Sequence, residues 1–171
     1  VTYAWTVTKT VGVSTTVFAT GSSTDPAFTF TPDDDGVYTV TLDTSDTGGH
    51  TGTYTAPGID VSNVAPQNVA LTADPANVYS EGQTLSYTAS ATDPGTDTIS
   101  YAWTVSFGGS TVASGTGSAI SFLAAEDGTY TISLTASDED GGSTPLTQVV
   151  AVTNVAPAPT ITGLPSGNTS P

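Results

Sequence analysis

Three segments of the chain occur twice, in the same order and at nearly the same spacing. The pairs are TYAWTV (2–7) with SYAWTV (100–105), DDGVYTVTLDTSDTGG (34–49) with EDGTYTISLTASDEDGG (126–142), and VSNVAP (61–66) with VTNVAP (152–157). The two Asn-Val-Ala-Pro segments are about 90 residues apart, which is the size of one β-sandwich domain. The repeat therefore restricts the fold to small modules of one kind.

The repeats predict three parts. Residues 1–63 match the C-terminal part of a repeat, 64–154 form one complete repeat, and 155–171 match the linker and first strand of a following repeat. The two partial repeats, 1–63 and 155–171, together still lack the segment that corresponds to 81–98. We therefore expect the chain to be a piece of a longer tandem array.

Apolar and hydroxyl residues alternate within each repeat, which is the pattern of a strand with one buried face. In 128–136, for example, Tyr130, Ile132 and Leu134 share one face and threonine or serine occupies the other. Turn residues such as Asp-Pro-Gly and Asp-Gly-Gly separate the alternating stretches. The complete repeat is predicted to contain seven strands, at 67–73, 84–91, 98–106, 110–114, 118–123, 128–136 and 145–153.

The predicted fold is all-β, a tandem series of immunoglobulin-like seven-stranded β-sandwich repeats. Trp103 is expected to pack between the two sheets, against Leu85 or Tyr87 on one side and Ile132 on the other. Tyr130 follows Glu-Asp-Gly at the start of its strand, where a tyrosine corner forms in such domains. Both aromatic residues are predicted to belong to the core.

The pattern YAWTV, EDGTYTISLTASDEDGG and VTNVAP resembles the PKD-type immunoglobulin-like repeats of bacterial extracellular proteins. The resemblance covers nearly all of 63–154 and most of 1–62. The chain departs from it at WTVSFGGS (103–110), where the family usually has Trp-Asp-Phe-Gly-Asp-Gly. The resemblance implies a spacer, stalk or adhesive module at the bacterial cell surface, without catalytic activity.

The charge balance excludes some partners. The chain has one Lys+Arg, sixteen Asp+Glu and a net charge of −15, so it lacks the basic surface that nucleic acids and anionic membranes require. No stretch is apolar and long enough for a membrane span. Cysteine is absent, which excludes disulfides and thiolate metal sites.

Acidic loops are predicted to meet at the end of the complete repeat that faces the preceding one. In a seven-stranded sandwich the linker, the loop at 93–97 and the loop at 138–142 all return to this end. No Lys or Arg is near these loops in the sequence, and calcium takes six to eight oxygen ligands from such groups. The predicted cofactor is therefore calcium, and the candidate ligands are Asn63, Asp93, Asp97, Asp138 and Asp140.

An alternative is that these carboxylates are only turn residues on a solvated acidic surface. Asp46 is the counterpart of Asp138 in the first repeat. A second acidic set, Asp33 to Asp35, corresponds to Glu126 and Asp127 and precedes the Tyr strand at the opposite end of its repeat. We interpret this second set as turn formers.

No catalytic motif is present. The one histidine, His50, is expected in an exposed glycine-rich loop, and Lys9 is expected to be an ordinary charge at a strand edge. The predicted function is an extended stalk, adhesin shaft or filament whose partners are neighbouring repeats. The alternative is an adhesin that binds carbohydrate or another surface, which requires exposed aromatic residues; the candidates are Tyr54, Tyr79, Phe107 and Phe18.

Overall fold

The computed structural model describes residues 1–74 and 79–161, and its regular structure is entirely β-strand. The strands are β1 (Thr2–Val11), β2 (Ser14–Ser23), β3 (Gly36–Ser45), β4 (Thr51–Thr55), β5 (Ile59–Val61), β6 (Gln67–Asp74), β7 (Tyr79–Ser80), β8 (Gln83–Thr92), β9 (Ser100–Phe107), β10 (Ser110–Thr116), β11 (Ala119–Ala124), β12 (Gly128–Ser137) and β13 (Ser143–Thr153). Within this part of the chain no helix is long and apolar enough to cross a membrane.

Strands β6 to β13, which we call the central unit, form two packed sheets. One sheet has the order β10-β9-β12-β13-β7 and the other β11-β8-β6. The pairs are antiparallel, except that the two-residue strand β7 runs parallel to β13. The predicted all-β, immunoglobulin-like sandwich is confirmed. All seven predicted strands of this unit are present, and β7, which is too short to show alternation, was not predicted.

The core of the central unit lies between its two sheets. Alternate residues of β12 point inward, so Tyr130, Ile132 and Leu134 are all buried. Trp103 on β9 is 2% exposed, and its indole Nε1 donates to the Gly117 carbonyl at 2.7 Å. The opposite sheet contributes Leu85 and Tyr87 to the same cluster, as the sequence predicts. Full burial of one such side chain contributes about 1.5–3 kcal/mol to stability.

Strands β1 to β5, which we call the N-terminal unit, form a single sheet of order β2-β1-β3-β4, with β5 also paired to β3. Its register matches that of the central unit: Trp5 lies opposite Leu42, as Trp103 lies opposite Leu134. Phe28 stacks on Trp5, and Phe30 packs against Tyr38 at 5.9 Å between ring centroids. These phenylalanines follow β2 and cover part of the face that a second sheet covers in the central unit.

The linker between the units, residues 62–66, is packed against the loop at 138–142. The hydroxyl of Thr144 donates to the Pro66 carbonyl. A Cβ on Gly142 would lie 2.8 Å from the Ala65 Cα, so glycine is required for this close approach. The linker thus places the end of the N-terminal unit against the loops of the central unit.

The predicted start of a third unit, 155–171, lies partly outside the described residues, which end at 161. Residues 154–161 contain no strand. The Val155 N–H donates to the Glu81 carboxylate at 2.7 Å, which ties the beginning of this segment to the central unit.

Candidate metal centre

Two loops of the central unit bring their carboxylates together beside the linker. The β8–β9 loop carries Asp93 and Asp97, and the β12–β13 loop carries Asp138, Glu139 and Asp140. One oxygen from each of Asp93, Asp97 and Asp138 lies within 4.8 Å of the other two, and the same holds for Asp97, Glu139 and Asp140. The structure therefore brings together the four predicted aspartates.

The fifth predicted ligand, Asn63, reaches this cluster from the linker. Its Nδ2 donates to Asp138 Oδ2 at 3.0 Å. This hydrogen bond, with backbone N–H groups of the same loop, lowers the pKa of Asp138 below its ordinary value. Asp138 is therefore held as a carboxylate, although it is only 7% exposed.

Some of these carboxylate oxygens do act as turn formers, as the alternative interpretation requires. Asp138 Oδ1 accepts the Gly142 N–H at 2.6 Å and the Asp140 N–H at 3.1 Å. Asp93 Oδ1 accepts the Gly95 N–H at 3.0 Å. These bonds are the local Asx turns that favour aspartate in tight loops.

Asp97 is the residue that turn formation does not explain. Both of its carboxylate oxygens expose less than 1 Å² and have no hydrogen-bond partner, and the same is true of Asp93 Oδ2. Burial and the nearby carboxylates, Asp34 first among them, raise the pKa of Asp97 to about 6. Buried polar oxygens are normally paired, so Asp97 indicates a missing positive partner.

The N-terminal unit adds two carboxylates to the cluster, Asp34 and Asp35. One carboxylate oxygen from each of Asp34, Asp35 and Asp140 lies within 4.8 Å of the other two. Burial, then Asp140 and Asp34, raise the pKa of Asp35. Asp34 is a turn former as interpreted, since its Oδ1 accepts the Asp35 N–H at 2.9 Å. Asp34 and Asp35 also border the cluster, because the far end of one unit abuts the near end of the next.

A tyrosine corner fixes the loop that carries these two residues. The Tyr38 hydroxyl donates to Asp33 Oδ1 at 2.7 Å and lies 3.0 Å from the Asp34 carbonyl oxygen. In the central unit the Tyr130 hydroxyl donates to the Glu126 carbonyl at 3.1 Å, so the predicted corner is present there too. Both corners hold an acidic loop at the same end of the sheet.

Lys9, the one Lys or Arg of the chain, also lies at this junction. Its Nζ is 3.2 Å from Asp33 Oδ1 and 3.5 Å from Asp34 Oδ2. The prediction of a strand-edge charge is wrong, because β1 is paired on both sides and the Lys9 side chain is only 14% exposed. This ammonium group pairs with Asp33 and Asp34. The three loops of the junction together carry eight carboxylates: Asp33, Asp34, Asp35, Asp93, Asp97, Asp138, Glu139 and Asp140.

This arrangement suits a hard cation. The cluster offers only oxygen ligands, and buried carboxylate oxygens within it have no partner. A cleft of about 130 Å³ beside it is lined by residues 32–35, 61–64, 94 and 95. Calcium, which keeps flexible coordination by six to eight oxygens, fits this donor set.

Asp46 forms the same kind of turn at the other end of the N-terminal unit. Its Oδ1 accepts the N–H groups of Gly48 and His50, each at 2.9 Å. The His50 side chain is 85% exposed, as predicted, and its Nδ1 lies 3.0 Å from Asp46 Oδ2. The hydrogen bond from the His50 backbone, followed by the one from its side chain, lowers the pKa of Asp46 below its ordinary value.

Most of the aromatic residues named for a glycan-binding surface are not available. The prediction that Tyr79 is exposed is wrong, because Tyr79 on β7 is 8% exposed and its hydroxyl lies 3.4 Å from that of Tyr87. Phe107 stacks on Tyr130 at 4.6 Å, and Phe18 packs edge-on against Tyr38 at 5.1 Å. Tyr54, at 64% exposed, is the remaining candidate of the four.

Comparison with known families gives a match that agrees with this architecture. The model of the PKD domain matches residues 63–154, which is more than half of the chain. The chain belongs to the PKD domain family. The predicted resemblance is thereby confirmed. PKD domains are in general structural or binding modules rather than catalysts, and they commonly occur in extracellular proteins.

Comparison with solved structures gives weak matches to fibronectin(III)-like and immunoglobulin-like chains. The fibronectin(III)-like modules of Clostridium thermocellum CbhA match with 23% identity and a TM-score of 0.43, over 87% of this chain and 78% of theirs. The Ig1–Ig3 ectodomain of mouse nectin-like molecule 4 matches with 19% identity and a TM-score of 0.41, over 94% of this chain and 57% of that one. No curated protein matches the chain.

Proposed function

We propose that this PKD chain is a non-catalytic structural module of a bacterial extracellular protein, and that calcium stiffens the junction between its units. Units joined end to end form an extended stalk, adhesin shaft or filament. Neighbouring units are then the principal partners, and the proposed location is the bacterial cell surface. The family match and the low content of basic residues support this location.

One observation carries the calcium part of the proposal. The Asp97 carboxylate is buried at the junction, with neither oxygen paired. Like charges without a cation repel one another at this spacing. A bound divalent cation converts this repulsion into attraction, because its charge becomes the largest in the site. The junction is then more stable with the ion bound than without it.

The first test is thermal unfolding of the whole chain in millimolar calcium and in chelator. At ion concentrations about 100-fold above Kd, binding adds about 2.7 kcal/mol to the free energy of unfolding. For a chain of this size we expect the Tm to rise by about 5–10 °C. Magnesium, which requires near-octahedral geometry and dehydrates reluctantly, is expected to give a smaller rise. Equal melting temperatures in calcium and chelator would contradict the proposed metal site.

A glycan-binding module is the less favoured alternative. It has the support of Tyr54, which is 64% exposed and borders a shallow depression together with Leu42 and Thr53. Aromatic faces that bind sugars usually act together with convergent polar groups in a formed pocket. Binding to a glycan array that is lost in Tyr54→Ala would favour this alternative.

A further inference from the structure

The acidic cluster at the junction is formed by residues of both units. Asp93, Asp97 and Asp138 belong to the central unit, whereas Asp34 and Asp35 belong to the N-terminal unit. We infer that Asp34 and Asp35 complete the cation site of the central unit, so that one bound metal centre is ligated by both units at once. This inference rests on the proposed function.

Gly95 shows how closely the two sets of carboxylates approach. A Cβ on Gly95 would lie 2.6 Å from Asp34 Oδ1, 3.1 Å from Asp97 Oδ2 and 3.4 Å from Asp93 Oδ1. Oxygens from both units therefore surround one side of a single Cα. Ca–O distances are 2.3–2.6 Å, so small shifts of these loops allow the same ion to contact both units.

A second contact ties the same carboxylate to the central unit. The Thr96 hydroxyl donates to Asp34 Oδ2 at 3.3 Å. Lys9 lies 3.5 Å from this oxygen, while Asp33 accepts both Lys9 and Tyr38. Asp33 is thus paired within its own unit. Asp34 Oδ1 accepts the Asp35 N–H at 2.9 Å, and both Asp34 and Asp35 also lie close to Asp140 of the central unit.

The buried, unpaired carboxylate of Asp97 is an independent observation that points to a bound cation. It has oxygens close to those of Asp93 and Asp138 and to those of Glu139 and Asp140, and Asp140 is also close to Asp34 and Asp35. Asp97 and Asp140 therefore connect the carboxylates of the central unit with those of the N-terminal unit. Cation binding and docking of the two units are consequently linked.

The test compares calcium binding of the whole chain with that of two double variants. Asp34→Asn with Asp35→Asn removes the contribution of the N-terminal unit. Glu126→Gln with Asp127→Asn is the matched control, because it neutralises the corresponding loop of the central unit at the opposite end of its sheet. Calorimetric titration gives the Kd for calcium, and residual dipolar couplings report whether the two units keep one relative orientation.

We expect the double variant Asp34→Asn with Asp35→Asn to weaken calcium binding about tenfold or more, since the number of charged ligands tunes affinity. We also expect it to release the two units from a common orientation in calcium, whereas the control keeps both properties of the parent chain. If Asp34→Asn with Asp35→Asn left the calcium affinity and the relative orientation of the two units unchanged, the inference would be overturned. If Asp93→Asn with Asp97→Asn still abolished binding in that case, the proposed calcium site would stand. A parent chain that binds no calcium would overturn both.

Discussion

At the scale of single residues, Asp97 determines how the stability of the junction depends on pH. Its pKa is raised from 3.8 to about 6, because its carboxylate is buried among other carboxylates. Without metal, the folded chain holds this proton more strongly than the unfolded chain. The Asp97 contribution to stability is therefore greatest below about pH 4 and falls as the pH rises through 6.

This leads to a prediction for Asp97→Asn, whose sign depends on calcium. In chelator at pH 7 the variant is expected to melt higher than the parent, by about 2–4 °C for each kcal/mol of repulsion removed. At pH 4 the difference is expected to vanish, because Asp97 is then protonated in the folded parent. In calcium at pH 7 the variant is expected to melt lower, since a ligand is lost.

Melting curves at several pH values, with and without calcium, check this prediction. Asp60→Asn, on the exposed strand β5, is the control for a general effect of charge. A variant that melts like the parent in chelator at every pH would show that Asp97 carries no excess repulsion.

At the scale of loops and strands, Gly95 of the β8–β9 loop lies where carboxylates of the two units approach each other. A Cβ there would approach Asp34 Oδ1 to 2.6 Å, so in Gly95→Ala either the loop or Asp34 must move. We expect this variant to lose about half or more of the Tm gain that calcium gives. The reason is steric, because the ligands of the two units can no longer approach one another.

Gly115→Ala is the matched control for that substitution. A Cβ on Gly115 of β10 would lie 3.8 Å from Ile120, which is ordinary van der Waals contact. The control is expected to keep the full response to calcium. If Gly95→Ala responded to calcium as fully as Gly115→Ala, the close approach at Gly95 would have no role in ion binding.

The strands were predictable from the sequence, whereas the burial of Tyr79 and the position of Asp34 and Asp35 were not. Alternation and turn residues locate the long strands, because both signals are local. The burial of Tyr79 depends on the pairing of β7 with β13, which is non-local. The position of Asp34 and Asp35 depends on how one unit meets the next. The sequence did contain a signal for it, since their end of the N-terminal unit is the end that faces the following unit.

At the scale of the whole molecule, the two units differ in how much core they bury. The core cluster of the central unit contains thirteen buried residues. In the N-terminal unit Val7 and Tyr38 are the buried hydrophobic residues, and its one sheet is only partly covered by Phe28 and Phe30. A single sheet needs a covered apolar face to be stable by itself.

We therefore expect residues 63–154 alone to unfold cooperatively and residues 1–62 alone to lack a cooperative transition. Circular dichroism and calorimetry of the two fragments check this expectation. The whole chain, in which the N-terminal unit is docked by its linker and acidic loop, is the reference. A sharp calorimetric transition in fragment 1–62 would show that its sheet is sufficient without the central unit.

The position of Lys9 has a consequence for cleavage by proteases. A trypsin-like protease cuts after Lys or Arg, and the chain contains one such residue. The Lys9–Thr10 bond lies in β1, with β2 on one side and β3 on the other. Proteases preferentially cut exposed loop tips. The folded chain therefore offers such an enzyme one cleavage point, in the middle of a sheet, and we expect cleavage there to require that β1 first separates from its neighbours.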